Sequence, residues 1–260
     1  MRACFIGLGD MGHALAARLA RSGVAVAGID ADPARVVAWR RTVDSASHGI
    51  EDADVVLVCV TDAAASTQAI ADALPRMRRG ALCIDHTTTS PNLAAEQAAA
   101  CRAAGVRFVD APLSGGVEGA RAGTLVAMVG GEAADVSAAR VALSVYASRI
   151  VHLGAAGSGQ LAKLANQVAI AGTVRGLAEA VALARAGGAA VPALLEALAH
   201  GTANSAQLAR THTTLAADEF DFRAAFAWLA KDLDLAARAA EQRALDLPLA
   251  ALVRRLLESR

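Results

Sequence analysis

Short, unbroken apolar runs alternate with longer stretches of helical periodicity through the first part of the chain. The runs at 3–6, 24–29, 55–60, 80–85, 106–111, 124–131 and 149–152 read as strands, most of them apolar on both faces. Helices are expected at 12–22, from Pro33 onward, at 91–104 and at 133–145; Ser90 followed by Pro91 is a helix start with proline in the first turn. The stretch 42–54 is polar, with room for a short strand of no definite position. From Gly157 the strand signal stops. One helix runs without a breaker to Gly187 and Gly188, and others are expected at 191–199, 222–244 and 249–258, with a polar connection at 201–205. The pattern predicts an α/β domain over 1–153 and an all-helical domain over 154–260, joined by a long helix.

Composition narrows this. Hydrophobic residues make up 55% of the chain and aromatics only 3%, so the core is built from Ala, Val, Leu and Ile. Such a core suits helices packed closely on a parallel sheet. Lys plus Arg and Asp plus Glu balance at 25 each, which leaves no electrostatic footprint for nucleic acid or an anionic membrane. Cys4, Cys59, Cys83 and Cys101 form no C-x-x-C pair and read as reduced, buried thiols rather than metal ligands. The first twenty residues have a basic residue and an apolar run, but Gly7, Gly9, Asp10 and Gly12 interrupt it, against a signal peptide. No later stretch is an uninterrupted apolar run of bilayer length, so a soluble, cytoplasmic protein is expected.

The first strand leads into Gly7-Leu8-Gly9-Asp10-Met11-Gly12, a helix and a second strand ending at Asp30. Strand, G-x-G-x-x-G, helix, strand and acid is the context of a dinucleotide site. The glycines allow a tight turn and close approach of backbone N–H groups to a pyrophosphate at the helix N-terminus. Asp30 would accept hydrogen bonds from a ribose 2′-hydroxyl and repel a 2′-phosphate, which favours NAD over NADP; Arg35 is the residue that would weaken that preference. Val60 ends a buried strand, and Thr61 and Asp62 follow it, at the edge where a cofactor lies, although helix capping explains Thr61 or Asp62 equally well. His86 has the chemistry of a base, but a satisfied histidine at a strand end is the plainer reading. Ser114-Gly115-Gly116 offers a hydroxyl and successive backbone N–H groups suited to a carboxylate, or is a plain turn. Lys163, Asn166 and Gln167 share one face of the long helix. Lys231 and Asp232 interrupt an apolar pattern later on, as a solvated pair would.

Four stretches in order, Gly-Leu-Gly-Asp-Met-Gly at 7–12, Asp-Ala-Pro-Leu-Ser-Gly-Gly at 110–116, Gly-Ser-Gly-Gln-Leu-Ala-Lys-Leu-Ala-Asn-Gln at 157–167 and Lys-Asp-Leu-Asp-Leu-Ala at 231–236, carry a resemblance over nearly the whole chain. The chain resembles the β-hydroxyacid dehydrogenase family, the group of 3-hydroxyisobutyrate dehydrogenase and tartronate semialdehyde reductase. The resemblance implies a Rossmann-like dinucleotide-binding domain followed by an all-α domain. It implies hydride transfer between NAD(H) and a small 3-hydroxy acid or its semialdehyde, in a homo-oligomer (dimer or tetramer). Lys163 matches the catalytic lysine, and Ser114, Gly115 and Gly116 match the loop that takes the substrate carboxylate. Asn166 matches an amide that helps hold substrate, and Gln167 lies where a second amide is common. Thr88 falls where a hydroxyl approaches the nicotinamide, and Lys231 matches a residue that closes over the cofactor. A related imine-reducing fold usually has Asp or Tyr in place of Lys163, and a non-catalytic dinucleotide-binding module would not need Ser114, Lys163 and Asn166 together. The stretches 35–54 and 62–80 look shorter than in the family, and the Gly- and Asp-containing tail common in the family does not follow the last helix.

Overall fold

The structure is a computed structural model that describes residues 1–43, 46, 48–216 and 222–258. The chain forms two compact units, Met1–Lys163 and Leu164–Arg260.

The first unit is a sheet with helices on both faces. Strands β1 (Arg2–Ile6), β2 (Ala25–Ile29), β3 (Val55–Val58), β4 (Leu82–Asp85) and β5 (Arg107–Asp110) run parallel in the order β2-β1-β3-β4-β5. A mixed edge follows: β7 (Leu125–Gly131) pairs antiparallel with β5 and with the short β6 (Leu113–Ser114), and parallel with β8 (Ala147–Gly154). The helices are α1 (Asp10–Arg21), α2 (Pro33–Thr42), α3 (Ala63–Ala73), α4 (Pro91–Ala103), α5 (Gly116–Ala122) and α6 (Ala133–Leu143). Successive strand residues point to opposite faces. Ala3, Phe5, Val55, Leu57, Leu82 and Ile84 therefore join one apolar cluster with α1 and α6, while Cys4, Val56, Val58 and Cys83 join another with Ile70 of α3 and Cys101 of α4. Both faces are covered, which is why these strands read as continuous apolar runs rather than alternating ones.

Three details depart from the sequence pattern. Around the described residues of 42–54 the chain makes a short 3₁₀ turn at Ile50–Asp52 and no strand; residues 44, 45 and 47 lie outside the described residues. The glycine-rich stretch after Ser114 is a helix, α5, bounded by Gly115 and by Gly123, which ends it in the left-handed conformation. The mixed edge arises because β5 and β6 keep one direction past Pro112, and β7, reached through α5, runs back between them.

The second unit is helical. It contains the greater part of α7 (Ser158–Ala186), then α8 (Val191–His200), α9 (Ala206–Ala216), α10 (Phe222–Glu241) and α11 (Pro248–Glu258). Ala171 and Val174 of α7 pack on Leu229 and Leu233 of α10 and Val253 of α11, and Leu177 and Val181 pack on Leu195 of α8 and Leu208 of α9. Helix α9 was not apparent in the sequence pattern because threonines dilute its periodicity. Its start is nonetheless encoded: the Ser205 hydroxyl accepts the Leu208 N–H at 3.0 Å, and Leu208, Thr211 and Leu215 form the buried stripe. Among the described residues, α7 is the one helix whose length and composition would let it cross a membrane, although Lys163, Asn166, Gln167, Arg175 and Glu179 interrupt it.

Candidate active site

Because β1 to β5 are parallel, their carboxyl ends share one edge of the sheet, and the chain leaves β1 toward β2 on one side and β3 on the other. Such a switch point opens a crevice. Here it is a cleft of about 600 Å³ lined by Gly7, Gly9, Asp10, Met11, Gly12, Asp30, Val60 and Thr61, with Arg35 and Arg76 on its wall.

The glycine turn has divided duties. A Cβ on Gly12 would overlap the Gly7 carbonyl oxygen, so this glycine lets α1 start against the strand. A Cβ on Gly9 would meet only the Arg35 guanidinium, at 3.5 Å, so the backbone there faces open space. Gly9 is also the N-cap of α1 and supplies no side-chain cap, which leaves the first N–H groups for an anion. A cradle of this kind, with an acid at the end of β2, fits the pyrophosphate and ribose of a dinucleotide.

Asp30 is held in place. One carboxylate oxygen accepts the Leu8 N–H at 2.6 Å and the other the Asp32 N–H at 2.8 Å. Leu8 itself is buried, so its part in the site is this N–H rather than its side chain. Arg35 lies 3.8 Å from both Asp30 and Asp32. Asp62 accepts the Ala65 N–H at 2.9 Å and caps α3, whereas Val60 and Thr61 reach the cleft.

Farther along the same edge, Thr87 and Thr89 are buried and Thr88 between them is half-exposed. Their loop is built on Asp85, whose buried carboxylate accepts the Ser66 hydroxyl at 2.6 Å and the Thr87 N–H at 2.8 Å. Burial pushes the Asp85 carboxyl up to about 6, against the pull of those hydrogen bonds. His86 is buried too and both ring nitrogens are occupied: Nδ1 lies 2.7 Å from the Ala111 carbonyl and Nε2 2.9 Å from the Tyr146 hydroxyl. Burial holds its pKa down at about 4, so the ring is neutral near pH 7 and the satisfied histidine is the reading that holds. Cys59 is likewise pushed up to about 12 by burial and stays a thiol.

Ser114 closes β6, followed by Gly115 and Gly116 at φ of 127° and 67°. The Lys163 ammonium donates to the Leu113 carbonyl at 2.8 Å, one residue from Ser114. The fold thus brings two stretches about fifty residues apart together. Asn166 and Gln167 continue the same helix in the second unit. Gln167 is buried: its Nε2 donates to Asp232 at 2.5 Å, and its Oε1 accepts from Asn166 at 3.0 Å. Asp232 also pairs with the Lys231 ammonium at 3.0 Å. The structure therefore places Asn166, Gln167 and Lys231 in one chain of contacts through Asp232, a residue for which a solvated pair with Lys231 was one of two open readings.

A Rossmann-type cleft, a lysine beside the Ser114 turn and a helical second unit fit the class of NAD(P)-dependent oxidoreductases. Comparison with known proteins agrees. The family model for the NAD binding domain of 6-phosphogluconate dehydrogenase matches residues 2–154, and that for the NAD-binding of NADP-dependent 3-hydroxyisobutyrate dehydrogenase matches 157–260. An uncharacterized oxidoreductase of Shewanella frigidimarina is 34% identical over 97% of this chain and 89% of its own length. A probable 3-hydroxyisobutyrate dehydrogenase of Mycobacterium bovis is 37% identical over 77% of this chain and 69% of its own. The solved structure of Mycobacterium tuberculosis 3-hydroxyisobutyrate dehydrogenase with L-serine superimposes with a TM-score of 0.87 at 30% identity, covering 99% of this chain and 92% of that one. The chain belongs to the β-hydroxyacid dehydrogenase family.

Proposed function

We propose that the protein is an NAD-linked dehydrogenase of a small 3-hydroxy acid, or reductase of its semialdehyde, of the 3-hydroxyisobutyrate or tartronate/succinic semialdehyde type, with Lys163 as general acid and base. The observation that carries this reading is the Lys163 ammonium, 2.8 Å from the Leu113 carbonyl and next to Ser114, in a chain where only two of the 25 Lys and Arg residues are lysines. The other cationic side chains of this group are all arginines. The lysines are Lys163 and Lys231, and at Lys163 an arginine would fail for a chemical reason: a guanidinium does not release its proton near neutral pH.

The cofactor supplies the hydride acceptor or donor when bound. Gly9, the N-terminus of α1 and Asp30 would hold it, with Thr88 near its nicotinamide; the resemblance assigns Lys231 to closing over it. Ser114 and the N–H groups of Gly115 and Gly116 bind the substrate carboxylate; the resemblance adds Asn166 as an amide that helps hold substrate. As a C–H hydrogen leaves as hydride, neutral Lys163 takes the hydroxyl proton; in reduction the ammonium returns it, so no charge is left on the alkoxide. Asp30 supports NAD, and the charge of Arg35 is already offset by Asp30 and Asp32. Exposed Leu183 of α7 and Leu249 and Leu252 of α11 support a homo-oligomer, to be read by light scattering.

The test is a panel of semialdehydes and 3-hydroxy acids assayed with NADH or NAD and with NADPH or NADP side by side. Turnover of at least one compound with a preference for NAD is expected. A clear preference for NADPH would overturn the reading of Asp30, and no turnover by either cofactor would overturn the activity.

A further inference from the structure

The first turn of α7 is fastened to the sheet by two buried polar side chains that hydride transfer itself does not require. Asp110, at the end of β5, is wholly buried. Its carboxylate accepts the N–H of Gly157 at 2.8 Å and of Gln160 at 2.9 Å. These are N–H groups that a helix start leaves without intrahelical partners, so Asp110 is a helix cap supplied from another part of the fold, and a carboxylate suits the positive end of the helix. Neighbouring glycines make the approach feasible: a Cβ on Gly159 would come within 2.7 Å of one Asp110 oxygen, and one on Gly130 within 2.5 Å of the other. Three residues after Asp110, the Leu113 carbonyl takes the Lys163 ammonium. One short loop therefore grips α7 at its first turn and again at its lysine.

Gln160 grips from the other side. It is wholly buried, its Nε2 donates to the Thr87 carbonyl at 2.7 Å, and its Oε1 accepts the Thr89 N–H at 2.9 Å. The amide thus holds the two backbone groups that flank Thr88, while Lys163 lies three residues farther along the same helix face. An apolar side chain would fill this space with less desolvation. An amide satisfied at both ends defines one register between the loop and the helix.

We infer that Gln160 and Asp110 are positioning residues that set Lys163 against Thr88 and the Ser114 loop. This rests on the reading of Lys163 as the proton-transfer group. The two-lysine composition gives a readout independent of any substrate. Competitive acetylation with acetic anhydride, quantified by peptide mass spectrometry, reports the reactivity of Lys163 with Lys231 as internal reference. In Gln160→Leu the Lys163-to-Lys231 ratio is expected to change by at least about threefold, as a shift of half a pKa unit would produce. The kcat is expected to fall by about 10- to 100-fold, as a misplacement near 1 Å would cause. Asp110→Asn, which keeps the size and offers an N–H where an acceptor is needed, is expected to act in the same direction. It also serves if Gln160→Leu does not yield folded protein. A labelling ratio and a kcat both within about twofold of wild type in a variant that melts like wild type would overturn the inference. If the ratio shifts but wild type turns over no member of the substrate panel, the positioning stands and the activity reading fails. If wild type turns over substrate and neither the ratio nor the kcat of the folded variants moves, the activity reading stands and the positioning fails.

Discussion

The two lysines are held in opposite ways. Lys163 belongs to the sheet unit, where candidate site residues are fixed by hydrogen bonds between side chains and backbone: its ammonium rests on a carbonyl, the Asp110 carboxylate takes two N–H groups of its helix start, and Asp30 is locked by two N–H groups. Lys231 belongs to the helical unit, where a chain of side chains, Asn166 to Gln167 to Asp232, does the holding, and Lys231 is 46% exposed. Backbone at strand ends has little freedom, whereas an exposed ammonium on a four-carbon stem keeps most of its own. On the proposed roles, the group that must meet a reacting carbon is the one anchored to the sheet unit, and the group that only has to close over a bound molecule is the one on a helix surface.

The largest expected effect is at Lys163. Lys163→Ala should lower kcat by about 10³-fold while leaving dinucleotide affinity, read by fluorescence titration, nearly intact. Lys163→Arg should be equally inactive, because charge without a transferable proton is not enough. More than about a tenth of wild-type rate, less than one ~1.4 kcal/mol step, in either variant would break the assignment. Next come the glycines of the turn. Gly12→Ala collides with the Gly7 carbonyl and should destabilise the fold by about 3 kcal/mol, seen as a lower melting temperature. Gly9→Ala meets open space and should melt like wild type while binding NADH about tenfold more weakly. At Lys231 the expected effect is smaller: Lys231→Ala should raise the cofactor KM about fivefold with kcat nearly unchanged, in keeping with a solvent-exposed charge. An effect on kcat as large as that of Lys163→Ala would erase the contrast between the two lysines.

The smallest effect is a pH dependence, and it belongs to the sheet unit. The Asp85 carboxyl sits at about 6, above its ordinary 3.8, so the stability it contributes is complete below pH 4 and lost as pH rises through 6. His86 sits at about 4, below its ordinary 6.5, so its contribution is complete above 6.5 and lost as pH falls toward 4. The two oppose each other, and the melting temperature should change little from pH 4 to 6 on their account. Asp85→Asn removes one side, so its melting temperature should climb with pH across that window. A flat profile in the variant would show that the two groups do not balance.

Much of the fold was legible in the sequence. The alternation of strand and helix and its end near Gly157 placed nearly every element of both units, because apolar periodicity is a local property. The two helices it did not show, α5 and α9, sit in a glycine-rich and a threonine-rich stretch, where periodicity is weak: Gly123 marks the end of α5 and the Ser205 cap the start of α9. The candidate site was legible as motifs: the glycine turn and Ser114 to Gly116 stood out by residue type and spacing, and Lys163 was singled out by the resemblance. Their partners were not. Nothing in the neighbourhood of Gln160 announces Thr87 and Thr89, and Asp232 reads as solvated until Gln167 is packed against it.

By itself the sequence determined the elements, the dinucleotide turn with its acid, and the family, because each depends on residues close together or on the order of a few motifs. Tertiary structure alone decided which polar groups are buried and against what. Asp85 and His86 acquire displaced pKa values, Asp110 becomes the cap of a helix that begins far along the chain, and Lys163 is delivered to the Ser114 loop. Desolvation and long-range hydrogen bonds depend on the whole packed unit, and no local stretch of residues carries that information.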